Sequence, residues 1–221
     1  MGKIKAVFFD IDGTLVSFKT HRIPQSTLDA VAALRSRGIK VYIATGRPVP
    51  FIDNLGELEY DGMITVTGAH CFTRGGEIIF HRAVSTGSVE RVVEHLTHGT
   101  DAYPVIFVCS DEMFITELNE DVDAVARLLD IKMPTVRPAS YARGKDVLQL
   151  ISFFKADREP HFMTELMPDC TSMRWHPFFT DVIAGGVDKS VGIDKVLAYE
   201  GLSLDAVSYT HLRAHETELH L

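Results

Sequence analysis

Ala6-Val7-Phe8-Phe9-Asp10-Ile11-Asp12-Gly13-Thr14-Leu15-Val16 is the stretch that decides the fold. The apolar run over 4–9, broken only by Lys5, has the length and composition of a buried strand. It stops at two aspartates spaced i, i+2 and followed by Gly-Thr. Ligands of open α/β sheets bind outside the carboxyl ends of the strands. This strand therefore delivers Asp10 and Asp12 to a binding edge. Two carboxylates so close repel each other and invite a hard cation with oxygen ligands, most simply Mg²⁺. A bare Asp-x-Asp-Gly would equally describe a strand ending in a solvated turn, because short motifs also match by chance.

Downstream, Pro24 suits the first turn of a helix, and Leu28, Val31, Ala32 and Leu34 fall at helical spacing before a Gly38 C-cap. A second strand over 39–44 ends at Thr45-Gly46-Arg47-Pro48. This β-α-β unit predicts a parallel sheet with a right-handed crossover, and it sets Thr45 beside Asp10 if the strands are neighbours. A hydroxyl and a following N–H at such a junction can donate to a phosphate oxygen. The other reading of Thr-Gly is an ST-turn that opens the next helix. Arg47 reads either as reaching a substrate or as capping local structure. Residues 49–58 read as a short helix, 61–69 as a third strand and turn, and Gly75-Gly76 as a hairpin turn between 71–73 and 77–80.

From about residue 83 the texture changes. Helices are predicted at 88–96, 121–129 and 159–167, strands at 105–108, 113–116, 147–154, 171–175 and 179–184, and a loop at 134–143. Hairpin-linked strands with helices between them describe an α+β module. Asp181 reads either as touching a substrate from this module or, as a lone acid, as a surface group. Gly185-Gly186-Val187-Asp188-Lys189-Ser190 then opens an amphipathic helix carrying Val191, Ile193, Val196 and Leu197. A lysine in a helix's first turn is usually solvated, and it mildly opposes the helix dipole.

Taken together and in order, these stretches resemble a known family. FFDIDGTLV is similar to the first motif of the haloacid dehalogenase (HAD) superfamily of aspartate-nucleophile phosphohydrolases. ATGRP resembles the second motif, most closely that of the Cof-like branch, and the Gly-rich turn with Lys189 resembles the third. The resemblance implies an α/β fold: a Rossmann-like parallel-sheet core with an inserted α+β cap domain of the C2 type. The core would span 1–82 and return over 185–206, with the cap over 83–184.

It also implies a Mg²⁺-dependent phosphatase of a small phosphorylated metabolite, such as a sugar phosphate. Asp10 would be the nucleophile, forming an aspartyl-phosphate, and Asp12 the general acid and base. Thr45, Lys189 and the N–H groups near Ile11 and Gly46 would hold phosphate oxygens. Mg²⁺ would sit on the Asp10 carboxylate, the Asp12 main-chain carbonyl and a later acid. A phosphomutase or phosphotransferase on the same core, or an inactive truncated binding module, are the other functions in play. The branch commonly has Asn-Gly-Ala where this chain has Thr67-Gly68-Ala69, which puts the role of that Asn in question.

Relatives would next show a strand ending in a Gly-Asp-x-x-x-Asp motif. Instead the chain reads Val207-Ser208-Tyr209-Thr210-His211-Leu212-Arg213-Ala214-His215-Glu216-Thr217, with no strand pattern. Those residues can be spelled by the adapter of a transposase-based sequencing library. The expectation is that 207–221 are foreign, and that about three core strands precede them.

At 221 residues the chain can bury a sizeable core. A formal net charge of −8 argues against nucleic-acid or anionic-membrane partners, so phosphate must be attracted locally. Cys71, Cys109 and Cys170 form no CxxC and read as free thiols in a reducing compartment. No apolar run is long enough to span a bilayer, no signal peptide precedes the first strand, and Ala6 breaks a myristoylation motif. A cytoplasmic protein is expected. The histidines lack zinc-ligand spacing.

Overall fold

The computed structural model describes residues 4–17, 20 and 22–210. The chain opens with β1 (Ala6–Phe9), α1 (Gln25–Ser36), β2 (Lys40–Ala44), β3 (Gly62–Thr65), β4 (His70–Thr73) and β5 (Ile78–His81). Next come α2 (Thr86–His98), β6 (Val105–Cys109), β7 (Met113–Ile115), α3 (Glu120–Leu129), β8 (Thr135–Val136) and β9 (Val147–Ser152). The single turn α4 (Glu159–His161), β10 (Cys170–His176) and β11 (Phe179–Ala184) lead to α5 (Lys189–Glu200) and β12 (Val207–Tyr209). Two compact units result, one holding the described residues up to His81 and those over 187–210, the other Arg82–Gly186. The seams thus fall at 81/82 and 186/187, against 82/83 and 184/185 expected from sequence.

The first unit is a six-stranded sheet in the order β12-β1-β2-β3-β4-β5. β12, β1, β2 and β3 run parallel, and β4 and β5 return antiparallel. Its strands read as unbroken apolar runs because both faces are covered. On one face Ala6, Phe8, Tyr42, Ala44 and Ile64 pack against Ile193, Val196 and Leu197 of α5. On the other, Val41, Ile43 and Met63 pack with Val31 of α1 and with Leu55 and Leu58. Phe8 and Tyr42 stack at 5.4 Å between ring centroids. Each large side chain taken fully out of water contributes roughly 1.5–3 kcal/mol, so the paired rows hold β1 and β2 in register.

Three sequence expectations are corrected in this unit. Residues 49–58 form only the 3-10 turn Val49–Phe51. Pro50 sits in the first turn, where proline is tolerated, but Ile52 leaves helical geometry at φ −109°, ψ 90°, and Gly56 opposes further propagation. Val207–Tyr209, where no strand pattern was visible, forms β12 and pairs with β1 through Ala6↔Val207, Val7↔Ser208 and Phe8↔Tyr209. Ladder pairing uses backbone groups, so a short β-permissive tripeptide suffices. The sheet consequently has more than three strands; residues 211–221 of the expected foreign tail lie outside the described residues.

The second unit is a sheet in the order β10-β11-β9-β6-β7-β8, antiparallel except for β7 with β8. Val105, Phe107, Phe114, Leu150 and Val182 point to one face and pack on Val89, Val92 and Val93 of α2 and on Phe162. The expected loop over 134–143 contains β8 and the 3-10 turn Ala139–Ala142. The expected helix at 159–167 is α4 running into a π-turn, Phe162–Leu166. No helix among the described residues is long and apolar enough to cross a membrane.

Candidate active site

Asp10 follows β1 directly and is buried, at 3% exposure. Parallel pairing of Phe9 with Ile43 places it level with the end of β2, where Thr45 is also buried. Thr45 is fastened at both ends, its N–H donating to Ile64 O (2.8 Å) and its carbonyl accepting from Thr67 N–H (3.2 Å). Beyond Asp10 the chain folds back at once: Leu15 N–H donates to Asp10 O (3.3 Å) and Val16 N–H to Ile11 O (2.9 Å), with Gly13 at φ +71°. That positive φ suits glycine and lets the loop close directly over the strand end.

The Asp10 carboxylate is held from two sides. Oδ1 accepts the Ile11 N–H at 2.8 Å, and Oδ2 faces Lys189 Nζ at 2.8 Å. The Ile11 N–H, expected to hold phosphate, is therefore turned to the nucleophile candidate itself. Lys189 and Asp10 stand 179 positions apart in sequence and are 11% and 4% exposed in their side chains. The solvated-lysine reading is excluded.

What delivers Lys189 is the start of α5. Asp188 caps the helix, its Oδ1 accepting from Ser190 Oγ (2.6 Å) and Val191 N–H (2.9 Å), and these bonds hold its carboxyl below the ordinary range. Gly68 lies against this cap. A Cβ there would stand 2.0 Å from Asp188 O, and its φ of +99° is in any case glycine territory. Gly192 likewise allows no side chain, since its Cβ would meet Ile64 Cγ2 at 2.6 Å. These two glycines bring the start of α5 onto the end of β3. Sequence reading missed them, because a close approach between distant segments leaves no local pattern.

Thr67, standing where Asn is common, has φ +51°, and so does Val66. Asn tolerates this conformation, whereas β-branched residues are strained in it. The Asn-to-Thr difference therefore bears first on backbone comfort. Thr67 Oγ1 also lies 3.3 Å from where a Cβ on Gly46 would stand, keeping the Gly46 peptide bare.

Arg47 caps the local turn, one of the two roles foreseen for it, and it also holds a distant acid. It grips Asp12, Nε donating to Oδ2 at 2.9 Å and Nη2 to Oδ1 at 2.6 Å, while Nη1 donates to Phe51 O at 3.1 Å. The parallel two-bond fork fixes the carboxylate plane. Arg47 N–H also donates to Thr45 Oγ1 at 3.1 Å, so the ST-turn exists. That bond uses an acceptor position of the hydroxyl and leaves its proton to donate elsewhere. Cys71, the nearby buried thiol, is pushed up to about 12 by burial and remains un-ionised.

Asp10, Asp12, Thr45, Arg47 and Lys189 thus share one strand edge of the first unit. As donors, Asp10 and Asp12 offer hard oxygens and suit Mg²⁺, which commonly uses one or two carboxylates with water and phosphate oxygens. Among the described residues no group of three or more His, Cys, Asp or Glu gathers for a metal. Asp181 is elsewhere, in the second unit, and is not the surface group expected: its Oδ1 has essentially no solvent access.

A buried carboxylate facing a lysine, with a hydroxyl at the end of the neighbouring strand and a second carboxylate two residues on, stands at one edge of a doubly covered α/β sheet. A family model for haloacid dehalogenase-like hydrolases matches residues 7–208. The chain belongs to that family, and its class is the HAD-type phosphoric monoester hydrolases. It is 30% identical over 197 residues to YkrA of Bacillus subtilis (strain 168), which bears a provisional phosphatase name, covering 87% of this chain and 73% of that one. A solved structure described as the HAD subclass IIB sugar phosphatase BT4131 is 37% identical, with a TM-score of 0.80 over 93% of this chain and 79% of that chain. An HMP-PP phosphatase of Klebsiella pneumoniae (strain 342) is 34% identical over 109 residues, which is 48% of this chain and 39% of the relative.

Proposed function

We propose that the chain is a Mg²⁺-dependent phosphatase of a small phosphorylated metabolite, acting through a phosphorylated Asp10. The observation that carries this reading is the 2.8 Å approach of Lys189 Nζ to Asp10 Oδ2 at the strand edge that also holds Thr45. One Asp10 carboxylate oxygen attacks phosphorus while the bond from phosphorus to the leaving oxygen breaks. Asp12 gives its proton to that leaving oxygen, then takes one from the water that attacks the acyl phosphate and releases inorganic phosphate. Lys189, the Thr45 hydroxyl and the Gly46 N–H hold the transferring oxygens. Mg²⁺, held by the Asp10 carboxylate and the Asp12 main-chain carbonyl, would supply the charge neutralisation that lets an anionic ester approach an anionic nucleophile. Sugar phosphates and HMP-PP, after the names of the relatives, are the substrates to try first.

Acid quench during turnover of p-nitrophenyl phosphate, followed by peptide mass spectrometry, should find one phosphoryl group on the Asp10 peptide. The same experiment with Asp10→Asn should find none and no turnover. Activity in Asp10→Asn, or turnover with Asp10 never modified, refutes the scheme.

Arg47 acts on this reading through Asp12, by fixing the plane of the acid. Arg47→Ala should slow an alkyl phosphate by about a hundredfold, part of what a positioned acid contributes. p-Nitrophenyl phosphate should be slowed far less, since its leaving group departs without a proton. Stability should change by less than about 1 kcal/mol, because this ion pair is partly solvated; its side chains are each 33% exposed. Equal losses on both substrates would count against a role for Arg47 in proton delivery.

A further inference from the structure

After β3 the chain places three successive residues at positive φ: Val66 and Thr67, both at +51°, and Gly68 at +99°. Glycine suits that region, whereas the β-branched Val and Thr are strained in it. Two adjacent branched residues are thus held against their own preference. The ends of the segment show what holds them. Val66 is buried at 1% exposure, and Gly68 is seated against Asp188 O at the cap of α5. Ala69 N–H closes the turn on Val66 O at 3.0 Å, and Thr65 Oγ1 donates to His70 O at 3.2 Å. Strain of this kind persists only where the surroundings over-determine it, and it gathers at functional sites.

What the strained pair touches is the turn after β2. Thr45 N–H donates to Ile64 O at 2.8 Å, Thr67 N–H to Thr45 O at 3.2 Å and Val66 N–H to Arg47 O at 3.2 Å. Backbone bonds thus stitch residues 45–47 to 64–67, and the last two of them come from the strained amides. The Thr67 side chain adds a further tie. Its Oγ1 stands 3.3 Å from where a Gly46 Cβ would be, so it closes the space into which the bare Gly46 peptide could otherwise turn. A β-branched side chain is stiff at χ1, which keeps that stop in one place. With glycine at position 67, two residues lacking side chains would face each other, and the Gly46 peptide plane would be free to rotate.

We propose that the strained Val66–Thr67 pair sets the phosphate-binding turn, with Thr67 as a positioning residue that holds the Gly46 N–H and the Thr45 hydroxyl in register for one phosphate group. Thr67 acts through Gly46 and Thr45 rather than on the substrate. Thr in place of the common Asn exchanges backbone comfort for a stiffer stop against Gly46. The role deepens the phosphatase reading above and rests on it where turnover is concerned; the holding of phosphate can be measured without turnover.

Inorganic phosphate titrated calorimetrically into the full chain, with Mg²⁺ present, reads the turn at rest; kcat/KM for p-nitrophenyl phosphate reads it at work. Thr67→Gly should weaken phosphate binding and lower kcat/KM, each about tenfold, a fraction of what a misplaced group can cost. Thr67→Asn tolerates the left-handed backbone, so it should melt about 2–4 °C higher than the parent. It still offers a side chain to Gly46, so phosphate binding should stay within about threefold. Stability and phosphate affinity therefore move independently, which a merely structural role would not produce. Thr67→Ala strips Oγ1 from Gly46 but keeps a Cβ, and it replaces the glycine variant should that one melt below the assay temperature. Phosphate binding that survives the loss of Oγ1 undiminished overturns the proposal. So does a Thr67→Asn that melts lower than the parent, or a parent that binds no phosphate. A parent that binds phosphate, loses it about tenfold with Thr67→Gly and turns over no ester would instead refute the catalytic scheme and leave the positioning role standing.

Discussion

Lys189→Met is expected to lower stability by about 3–5 kcal/mol and to cut phosphate-ester turnover severely, because it strips the cation from a buried carboxylate. The pair is nearly sealed, with side-chain exposures of 11% and 4%. At such a site, removing one partner costs far more than removing both. The matching expectation is therefore a rescue. Asp10→Asn, introduced into the Lys189→Met background, should return most of the lost stability while leaving the protein inactive. Urea unfolding of the two single variants and the double variant measures the coupling directly. Lys189→Met alone should cut turnover about a hundred- to a thousandfold, the scale reported by removing one donor to a developing oxyanion. If the double variant is as unstable as Lys189→Met, the lysine serves the helix start and not the aspartate. That alternative has a physical handicap: a cation in the first turn opposes the helix dipole, and Asp188 already caps α5.

How much of this was legible beforehand divides along a physical line. Features set by a few consecutive residues could be read from sequence. The β1 run ending at Asp10, the β2 run ending at Thr45, and the turn before Lys189 are local patterns, and their order supplied the family. Features set by pairing between distant segments could not. Arg47 has its partner 35 residues away, and only the parallel register of β1 and β2 brings Asp12 within reach of its fork. Gly68 and Gly192 look like ordinary loop and helix residues until α5 is laid against β3. Gly56 should have told against the helix read at 49–58, which ends after one turn. β12 escaped notice because its pairing with β1 asks little of side chains. Asp181 was misread for a related reason. Both faces of β11 are covered, so Phe179-Thr180-Asp181-Val182-Ile183 shows no alternation to say which way the acid points.

Asp181→Asn is expected to stabilise the protein at neutral pH. Burial raises this carboxyl from an ordinary 3.8 to about 6. The folded state therefore binds the proton more tightly than the unfolded chain does. Between those two values stability rises as pH falls, and above about 6 the fold carries the cost of an ionised buried carboxylate. A shift of about two pKa units corresponds to about 2–3 kcal/mol, and the partial exposure of the residue argues for the lower end, about 2 kcal/mol. Asn cannot ionise, keeps the shape and still offers an oxygen to the Trp175 indole N–H. At pH 7.5 the variant should melt about 4–8 °C higher than the parent, taking about 2–4 °C per kcal/mol for a chain of this size. The difference should shrink as pH drops through 6 and vanish near 4, where both proteins carry a neutral side chain. Melting curves recorded across that window decide the matter. An advantage that does not vary with pH would mean that Asn gains by packing, and a loss at pH 7.5 would mean that the carboxylate is satisfied by a donor within the fold.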